Sequence, residues 1–419
     1  MKLKLSPKTF IYLEILFFLN KQWIIELFSL PAYISRLDFV IVLMGFLMAF
    51  PNLKKRLKRS GAKWALNWLL IFLAVVMFGW LVNGFSTVRG SWAVCSRTMG
   101  IFVFFPLCIA YLTVKDVEKI FSIMCKMQVL NVLLSFYQYF VLGIWGDYLG
   151  GIFGTVQGAN GSANIFYLVL FAYLLTKTLQ DYTNLKRFIF YSLSFVILAA
   201  MSDIAAFYIE MVMIAGAVFL YMRTNIKKIH FMLVGIIGFV VALISFSVIY
   251  PERFAFLMDL GNLKAYIGIG EYNGVYGISR LNPFSQINTQ FFKGNIIKNL
   301  LGFGLGNCEY SEGFGALQSP FFQANRYFRY YWFSNAMTFI ETGYLGLLTY
   351  FGFVTQNYIS SIKFLKNKSL YEWGLYGIAL IICFVFVFFY NNSLNLSGGY
   401  LMFFGLSVPY IFTKEKLLG

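Results

Sequence analysis

Apolar runs of roughly 20 residues recur from one end of the chain to the other, and this repetition most constrains the fold. A helix of that length crosses a hydrocarbon core of roughly 30 Å. Only 12% of the 419 residues are charged and 59% are hydrophobic, whereas a soluble domain carries about 25% charged residues. Most side chains therefore face something other than water, and the chain is expected to be a polytopic integral membrane protein.

The pattern predicts an all-α membrane protein with about a dozen transmembrane helices. Ser202-Asp203 divides the stretch from 188 to 222, because one helix of that length would run about 52 Å and is too long for a single crossing. Lys21 interrupts the first span, so a shorter helix lying partly in the interface is the alternative there. The predicted spans are 10–30, 32–50, 65–83, 94–113, 120–142, 161–177, 188–203, 205–222, 230–250, 334–355, 370–390 and 398–412.

The net charge of +17 comes from 34 Lys and Arg against 17 Asp and Glu. These basic residues stand in short clusters between apolar runs, as in loops that orient a membrane protein towards the cytoplasm, and do not indicate nucleic-acid binding. Most of them fall on one side of the predicted spans. Both termini are therefore expected to be cytoplasmic. No small-residue cleavage site follows the first apolar stretch, so no cleavable signal peptide is expected.

One connection is far longer than the others and divides the chain into three parts. Residues 1–250 are expected to hold helices 1–9, residues 251–333 a loop domain on the outer side, and residues 334–419 helices 10–12. Loops of that length are usually functional or independently folded. We expect short helices lying on the outer membrane face in this loop, because it is rich in aromatic residues.

The outward-facing charged residues are mostly arginines. They are Arg89, Arg97, Arg253, Arg280, Arg326 and Arg329, with Asp203, Glu210 and Glu341 as acids. Arginine forks match phosphate oxygens bidentately, so a substrate with phosphates at headgroup level would suit this set.

Each of these residues also has a purely structural interpretation. Arg97 would snorkel to headgroups, while Arg326 and Arg329 would be interfacial charges. Asp203 would cap the following helix, and Glu341 would close a capping box with Thr338. These alternatives stay open at the level of sequence.

Two glycine-rich stretches and one aromatic cluster complete the candidates. Residues 302–307, with Gly304 at their centre, predict a tight turn more than a dinucleotide loop. Residues 150–164, which include Asn160 and Asn164, either present backbone donors to an anion or form an ordinary turn. Tyr331 and Trp332 belong to an aromatic cluster that is either interfacial or a platform for sugar rings.

Taken in order, several of these stretches resemble the superfamily of O-antigen polymerases and O-antigen ligases. The resemblance is carried by Gly154 to Asn164, by Ser279-Arg280 leading into residues 301–307, and by Ser334-Asn335 followed by Glu341-Thr342-Gly343. It rests also on the layout, with a large outer loop before the tenth span. The resemblance implies a GT-C-like fold in the bacterial cytoplasmic (inner) membrane.

The resemblance implies a metal-independent glycosyltransferase without cofactor, acting on glycans attached to undecaprenyl pyrophosphate. The expected partners are the lipid-linked donor and acceptor and membrane lipids, with chain-length regulator and flippase proteins as further candidates. Arg97 and Arg280 would hold the pyrophosphate, supported by Arg89, Arg326 and Arg329, and Glu341 or Asp203 would be the base. The expected glycan or loop contacts are Asn160, Asn164, Gly304, Asn335, Tyr331 and Trp332.

The chain departs from the family pattern at one position that bears on the reaction. Ligases of the superfamily carry His-Asn where this chain has Ser334-Asn335, and its one histidine, His230, lies beside cytoplasmic lysines. This favours a polymerase of O-antigen, capsule or exopolysaccharide over a ligase. From other classes, a lipid-linked oligosaccharide flippase or an assembly partner without an active site remains an alternative.

Overall fold

The protein is almost entirely helical. The computed structural model describes residues 5–223, 237–238, 240–241, 243–248, 251–259, 261, 271–272, 275–280, 282–311 and 314–416. Within them, the strands form one short antiparallel ladder, β1 (Glu271–Tyr272) with β2 (Val275–Tyr276). The predicted all-α class is confirmed.

Nine α-helices lie within residues 5–223. They are α1 (Pro7–Leu27), α2 (Leu37–Leu57), α3 (Lys63–Asn83), α4 (Thr87–Ala93), α5 (Phe105–Tyr111), α6 (Val114–Phe140), α7 (Ala159–Gln180), α8 (Leu185–Met201) and α9 (Ala205–Tyr221). Later helices are α10 (Pro251–Met258), α11 (Pro283–Ile287), α12 (Ile296–Leu301), α13 (Pro320–Asn325), α14 (Ser334–Leu365), α15 (Tyr371–Tyr390) and α16 (Gly398–Lys416).

Six of the described helices are long and apolar enough to cross a membrane. They are Ala32–Leu57, Lys63–Asn83, Val114–Phe140, Ala159–Gln180, Tyr182–Met201 and Tyr371–Tyr390. A seventh is added if Thr87–Thr98 and Gly100–Tyr111 form one bent span. The chain is therefore a multi-pass α-helical membrane protein. Twelve spans remain a prediction. The described helices at the predicted spans 10–30, 205–222, 334–355 and 398–412 are not among these six or seven, and most of the span 230–250 lies outside the described residues.

The predicted span 94–113 is a bent segment that already begins at Thr87. Its two halves, Thr87–Thr98 and Gly100–Tyr111, meet at 54°. Val94–Thr98 and Gly100–Phe104 have the wider turns of a π-helix, and such turns commonly kink a helix at functional sites. Arg97 lies in the first of these wide turns.

The break between the predicted seventh and eighth spans is confirmed. Helix α8 ends at Met201 and α9 begins at Ala205. Asp203 takes a positive φ of 54° in the turn between them, a conformation that aspartate tolerates better than most residues. The N-cap of α9 is Ile204, which makes no side-chain capping bond.

The glycine-rich stretch 150–164 is anchored on one polar face of α6. Asn131 and Gln138 are seven residues apart and so share a helix face. Gln138 bonds both the N–H and the carbonyl of Gly151, at 2.8 and 2.9 Å, and Asn131 Oδ1 accepts from the N–H of Ile152 at 3.0 Å. These backbone donors are satisfied within the protein, which contradicts the interpretation that they present themselves to an anion.

Many aromatic side chains of the long loop form a core instead of lying at an interface. Phe291 packs edge-to-face against Phe321 at 5.1 Å, and Phe292 lies 5.3 Å from Phe339 of α14. Tyr330 is completely buried. The expectation of short helices in the loop is confirmed by α10 to α13, whereas the interfacial interpretation is wrong for these three rings.

Two glycines allow the long loop to press directly on the backbone of α14. At Gly343 the helix departs from helical geometry, with φ 63° and ψ −163°, and a Cβ there would lie 2.5 Å from the carbonyl carbon of Leu300. A Cβ on Gly302, whose φ is 66°, would lie 2.4 Å from the carbonyl carbon of Glu341. Only glycine fits such a conformation and such a contact.

We expect Gly302→Ala to destabilise the protein by at least about 2 kcal/mol, because it adds backbone strain and a clash with the backbone of α14. Gly216→Ala is the matched control, since its Cβ would meet nothing within 4 Å. A thiol-reactive dye can follow melting in detergent, because Cys108, Cys125, Cys308 and Cys383 are buried. Equal melting temperatures for the two variants would contradict the assigned contact.

Candidate functional site

An arginine with two carboxylates forms the centre of the candidate site. Arg97 Nη2 lies 2.6 Å from Glu309 Oε2, and Arg97 Nη1 lies 2.8 Å from Glu341 Oε2. The side chains are 6%, 3% and 1% exposed, respectively. Removing one partner of a buried ion pair strongly destabilises the folded protein, so the three residues constrain one another. We call them the Arg97 triad.

Glu341 holds the glycine-rich turn of the long loop against α14. Its Oε1 accepts hydrogen bonds from the backbone N–H groups of Gly306 and Cys308, at 3.0 and 3.1 Å. Its backbone carbonyl accepts from the N–H of Gly304 at 2.9 Å. The prediction of a tight turn at 302–307 is confirmed, and the turn is built around this carboxylate.

The capping-box interpretation of Glu341 is wrong. Helix α14 begins at Ser334, so Thr338 lies inside the helix and is not an N-cap. Glu341 reaches across to the loop, while the Thr342 hydroxyl donates to the carbonyl of Thr338 at 2.6 Å.

Glu309 is the member of the triad that is placed to carry a proton. One guanidinium cannot neutralise two buried carboxylates, and Glu341 already accepts two backbone N–H bonds in addition to Arg97. Burial raises the pKa of Glu309 to about 7, although the positive charge of Arg97 opposes that rise. Glu309 thus titrates near neutral pH.

The polar connection between α15 and α16, residues 391–397, packs next to the triad. Asn392 Nδ2 donates to the Tyr310 hydroxyl at 3.0 Å, and the N–H of Ser334 donates to the carbonyl of Asn391 at 3.0 Å. Burial is the main cause that raises the pKa of Tyr310, and the neighbouring carboxylate of Glu309 raises it further.

Arg89 lines an open cleft of about 530 Å³ at the same end of the bundle. The cleft lies between the end of α3, the start of α4 and the long loop, and Asn83, Ser86 and Asn307 also line it. Arg89 Nε is buried and has no hydrogen-bond partner within the described part of the chain. The backbone of Arg89 touches the glycine turn, since a Cβ on Gly306 would lie 2.7 Å from its carbonyl oxygen.

Arg280 lies where α14 begins and α15 ends. Its carbonyl accepts from Asn335 Nδ2 at 2.8 Å, and its guanidinium lies 4.8 Å from the Tyr390 ring and 5.6 Å from the Phe333 ring. The predicted loop contact of Asn335 is therefore a hydrogen bond to the residue that was predicted to bind pyrophosphate.

Arg326 and Arg329 lie further out. The Arg326 side chain is exposed, and Arg329 stacks over exposed Trp332 at 4.4 Å. Tyr331 stacks on Tyr310 at 4.9 Å. Tyr331 therefore belongs to the wall behind the triad, whereas Trp332 remains accessible.

Asp203, Asn160 and Asn164 belong to a second polar region around the start of α7. Asn160 Nδ2 donates to Asp147 Oδ1 at 2.8 Å and to the carbonyl of Ser202 at 3.3 Å. Asn164 Nδ2 donates to Glu210 Oε1 at 3.1 Å. These contacts join the Asp203 turn to α7.

Three features of the structure were not predicted from the sequence: Glu309, the polar stretch 391–397 and the ion pair of Lys21 with Asp38. Glu309 lies inside the long loop, where its charge carried no pattern, although it closely follows the glycine-rich turn. The polar stretch 391–397 lies between two apolar runs, and that contrast was a usable signal. Lys21 was noted only as an interruption of the first span. It pairs with Asp38 at 3.0 Å inside the bundle, seven residues after fully buried Glu14. His230 lies outside the described residues.

The fold and this site define a multi-pass helical membrane protein with a buried ionic cluster beside an arginine-lined cleft. No model of a known protein family matches the sequence, and no curated protein matches it either.

We expect the protein to lose stability as the pH rises from 5 to 8. Glu309 binds its proton more tightly in the folded state, with a pKa of about 7, than in the unfolded chain, where a glutamate titrates near 4.3. Between these values the unfolded state releases the proton first, so folding loses up to roughly 3–4 kcal/mol across the interval. Melting temperatures in detergent across this pH range measure the effect.

Glu309→Gln is the control for that measurement, because its amide still accepts from Arg97 but cannot titrate. Its melting temperature is expected to vary less with pH than that of the wild type. The same pH dependence in both proteins would show that another group is responsible.

Proposed function

We propose that this protein is a glycan polymerase of the O-antigen polymerase and ligase superfamily, with about twelve transmembrane helices and both termini in the cytoplasm. It would join oligosaccharide repeat units carried on undecaprenyl pyrophosphate at the outer face of a bacterial cytoplasmic membrane. The observation that carries the proposal is the cleft with Arg89, which shares the glycine turn of the long loop with the buried Arg97 triad.

The reaction needs cations at the departing pyrophosphate and a proton acceptor at the attacking hydroxyl. Arg89 supports the first role best, because its guanidinium lines an open cleft and its Nε has no partner within the described residues. Arg280 is a second candidate at the start of α14. Arg97 was predicted to lead this role, but both of its terminal nitrogens are occupied by carboxylates, so it would act on pyrophosphate only after one of them moves away.

The aromatic rings that line the Arg89 cleft suit a glycan chain. Phe303 and Phe321 line the Arg89 cleft beside Asn83 and Asn307, so apolar ring faces and amide groups stand together. A sugar ring likewise has an apolar face and polar hydroxyl groups, so it could contact both kinds of group in the cleft. The long loop, residues 251–333, would then cover the substrate as it is joined.

We expect Arg89→Ala to shorten the length ladder of surface glycan and to lower the transfer rate about 10- to 100-fold. A charge-assisted hydrogen bond contributes about 1.5–3 kcal/mol, and each 1.4 kcal/mol is about tenfold. Arg59→Ala is the matched control, since that side chain is exposed and belongs to a basic cluster on the predicted cytoplasmic side. The measurement is the ladder in cells, with the protein quantified by blot, and transfer by purified protein in detergent.

Single repeat units at the surface with intact protein would support a polymerase. Arg97→Ala and Glu341→Gln are less suited to this test, because both are expected to lower the amount of folded protein. Arg97→Ala leaves two buried carboxylates without a cation, and Glu341→Gln replaces the carboxylate that accepts the N–H groups of Gly306 and Cys308. A full ladder in Arg89→Ala at the level of Arg59→Ala would contradict the proposed role of the cleft.

A second candidate function, a lipid-linked oligosaccharide flippase, is favoured by one observation. Lys21 and Asp38 form a buried pair that Ser397 joins, and neither carboxyl oxygen of buried Glu14 has a hydrogen-bond partner within the described residues. Buried charges inside a helical bundle often mark transport paths. Loss of single units from the outer face, with lipid-linked units accumulating inside, would select this function.

A further inference from the structure

The polymerase reaction requires a proton acceptor, and the contacts of Glu341 count against that residue. Glu341 Oε1 accepts two backbone N–H bonds, and its Oε2 pairs with Arg97 at 2.8 Å. The two backbone bonds and the ion pair occupy both oxygens of the carboxylate. They also fix the carboxylate to the turn 302–308, so that a rotation towards substrate would release the turn.

Asp203 is no better placed. Its turn packs through the carbonyl of Ser202 against Asn160, which is bonded in turn to Asp147. These contacts join the turn to α7, whereas Glu309 is bonded directly to Arg97.

We infer that Glu309 is the proton acceptor of the transfer reaction and that Glu341 is a positioning residue that holds the turn carrying it. This inference rests on the proposed function. Glu309 is the one carboxylate of the Arg97 triad that makes no described bond to the glycine turn through its side chain, and Arg97 holds its Oε2 at 2.6 Å. Its carbonyl is fixed by the N–H of Ser319 at 3.1 Å, so the side chain moves on an anchored backbone.

The electrostatic surroundings suit a base that works near neutral pH. The charged and titratable groups around Glu309 are Arg97, Glu341, Tyr310 and Arg36, with Cys308 and Tyr330 on the same side. Burial and the second carboxylate raise the pKa of Glu309, the two arginines lower it, and the result is about 7. General bases are most effective when their pKa lies near the working pH.

Glu309 also lies, along the chain, between residues that line two separate clefts. Asn307 lines the Arg89 cleft, and Phe314 lines a second cleft of about 230 Å³ with Arg36 and Trp92. The first cleft would take the donor pyrophosphate. The second, with its aromatic walls, would take the acceptor sugar. Glu309 itself lines neither cleft, so its carboxylate would turn away from Arg97 to meet the acceptor hydroxyl.

The proposed step balances without any further reactant. The acceptor hydroxyl oxygen forms a bond to the anomeric carbon of the donor glycan, and the bond from that carbon to the pyrophosphate oxygen breaks. The pyrophosphate leaves with the electron pair, and the hydroxyl proton passes to Glu309. The Arg97–Glu341 pair stays neutral throughout, so a protonated Glu309 leaves no net charge in the triad.

The test is the rate of transfer by purified protein in detergent, with undecaprenyl-pyrophosphate-linked oligosaccharide, between pH 5.5 and 9. The wild-type rate is expected to rise about tenfold per pH unit below 7 and to level off above it, because only ionised Glu309 accepts a proton. Glu309→Gln is expected to lose at least about 100-fold, a typical contribution of a general base, while its binding of the donor lipid is unchanged. Glu118→Gln is the matched control, a partly exposed glutamate paired with Lys177.

A Glu309→Gln rate within about threefold of the wild type, or the same acid limb in both proteins, would overturn the inference and leave the proposed function standing. No wild-type transfer at any pH would overturn the proposed function, and the catalytic role of Glu309 with it.

A second measurement covers the case in which Glu309→Gln fails to fold. The infrared band of a protonated carboxyl is then titrated in the wild type and in Glu309→Asp. The midpoint pH of this infrared titration is expected to equal the midpoint pH of the rate profile in the wild type, and both midpoints are expected to shift together in Glu309→Asp. Midpoints that differ by more than one pH unit would refute the role.

Discussion

The structure around the site depends on one buried cation that faces two carboxylates. Arg97 comes from the bent segment between α3 and α6, Glu309 from the long loop and Glu341 from α14. The triad therefore ties three distant parts of the chain together at a place with little access to water. Removing Arg97 leaves two carboxylates without a cation, which is costly in a medium of low dielectric constant. This constraint explains why a flexible-looking, glycine-rich loop is held in one place.

Glycine makes that arrangement sterically possible. The turn 302–308 lies so close to α14 and to the start of α4 that side chains at Gly302, Gly306 and Gly343 would overlap backbone atoms. The absence of side chains brings backbone N–H groups within reach of Glu341. The carboxylate thus replaces the capping and sheet contacts that loops usually need to satisfy their donors. The Arg89 cleft lies on the outer surface of the same turn.

Part of the site was foreseeable because charged residues are rare in this chain. Arg89, Arg97, Arg280 and Glu341 stood out against apolar surroundings, and their grouping on one side pointed to one end of the bundle. Their roles were not foreseeable, because a role depends on which partner each charge meets. Arg97 was expected to bind phosphate and instead holds two carboxylates. Glu341 was expected to close a capping box or act as a base and instead holds the loop. Glu309 had no periodic or motif context to distinguish it.

The sequence by itself determined that the chain enters a membrane as several helices, where a long loop interrupts them, and where the helix breaks at Ser202-Asp203. These properties follow from local hydropathy and from the length of a helix that fits a bilayer. Tertiary structure alone decided which buried charges neutralise one another, that the aromatics of the loop form a core, and that the segment around Arg97 bends by 54°. Such outcomes depend on contacts between residues far apart in the chain, and these contacts cannot be inferred from hydropathy or spacing.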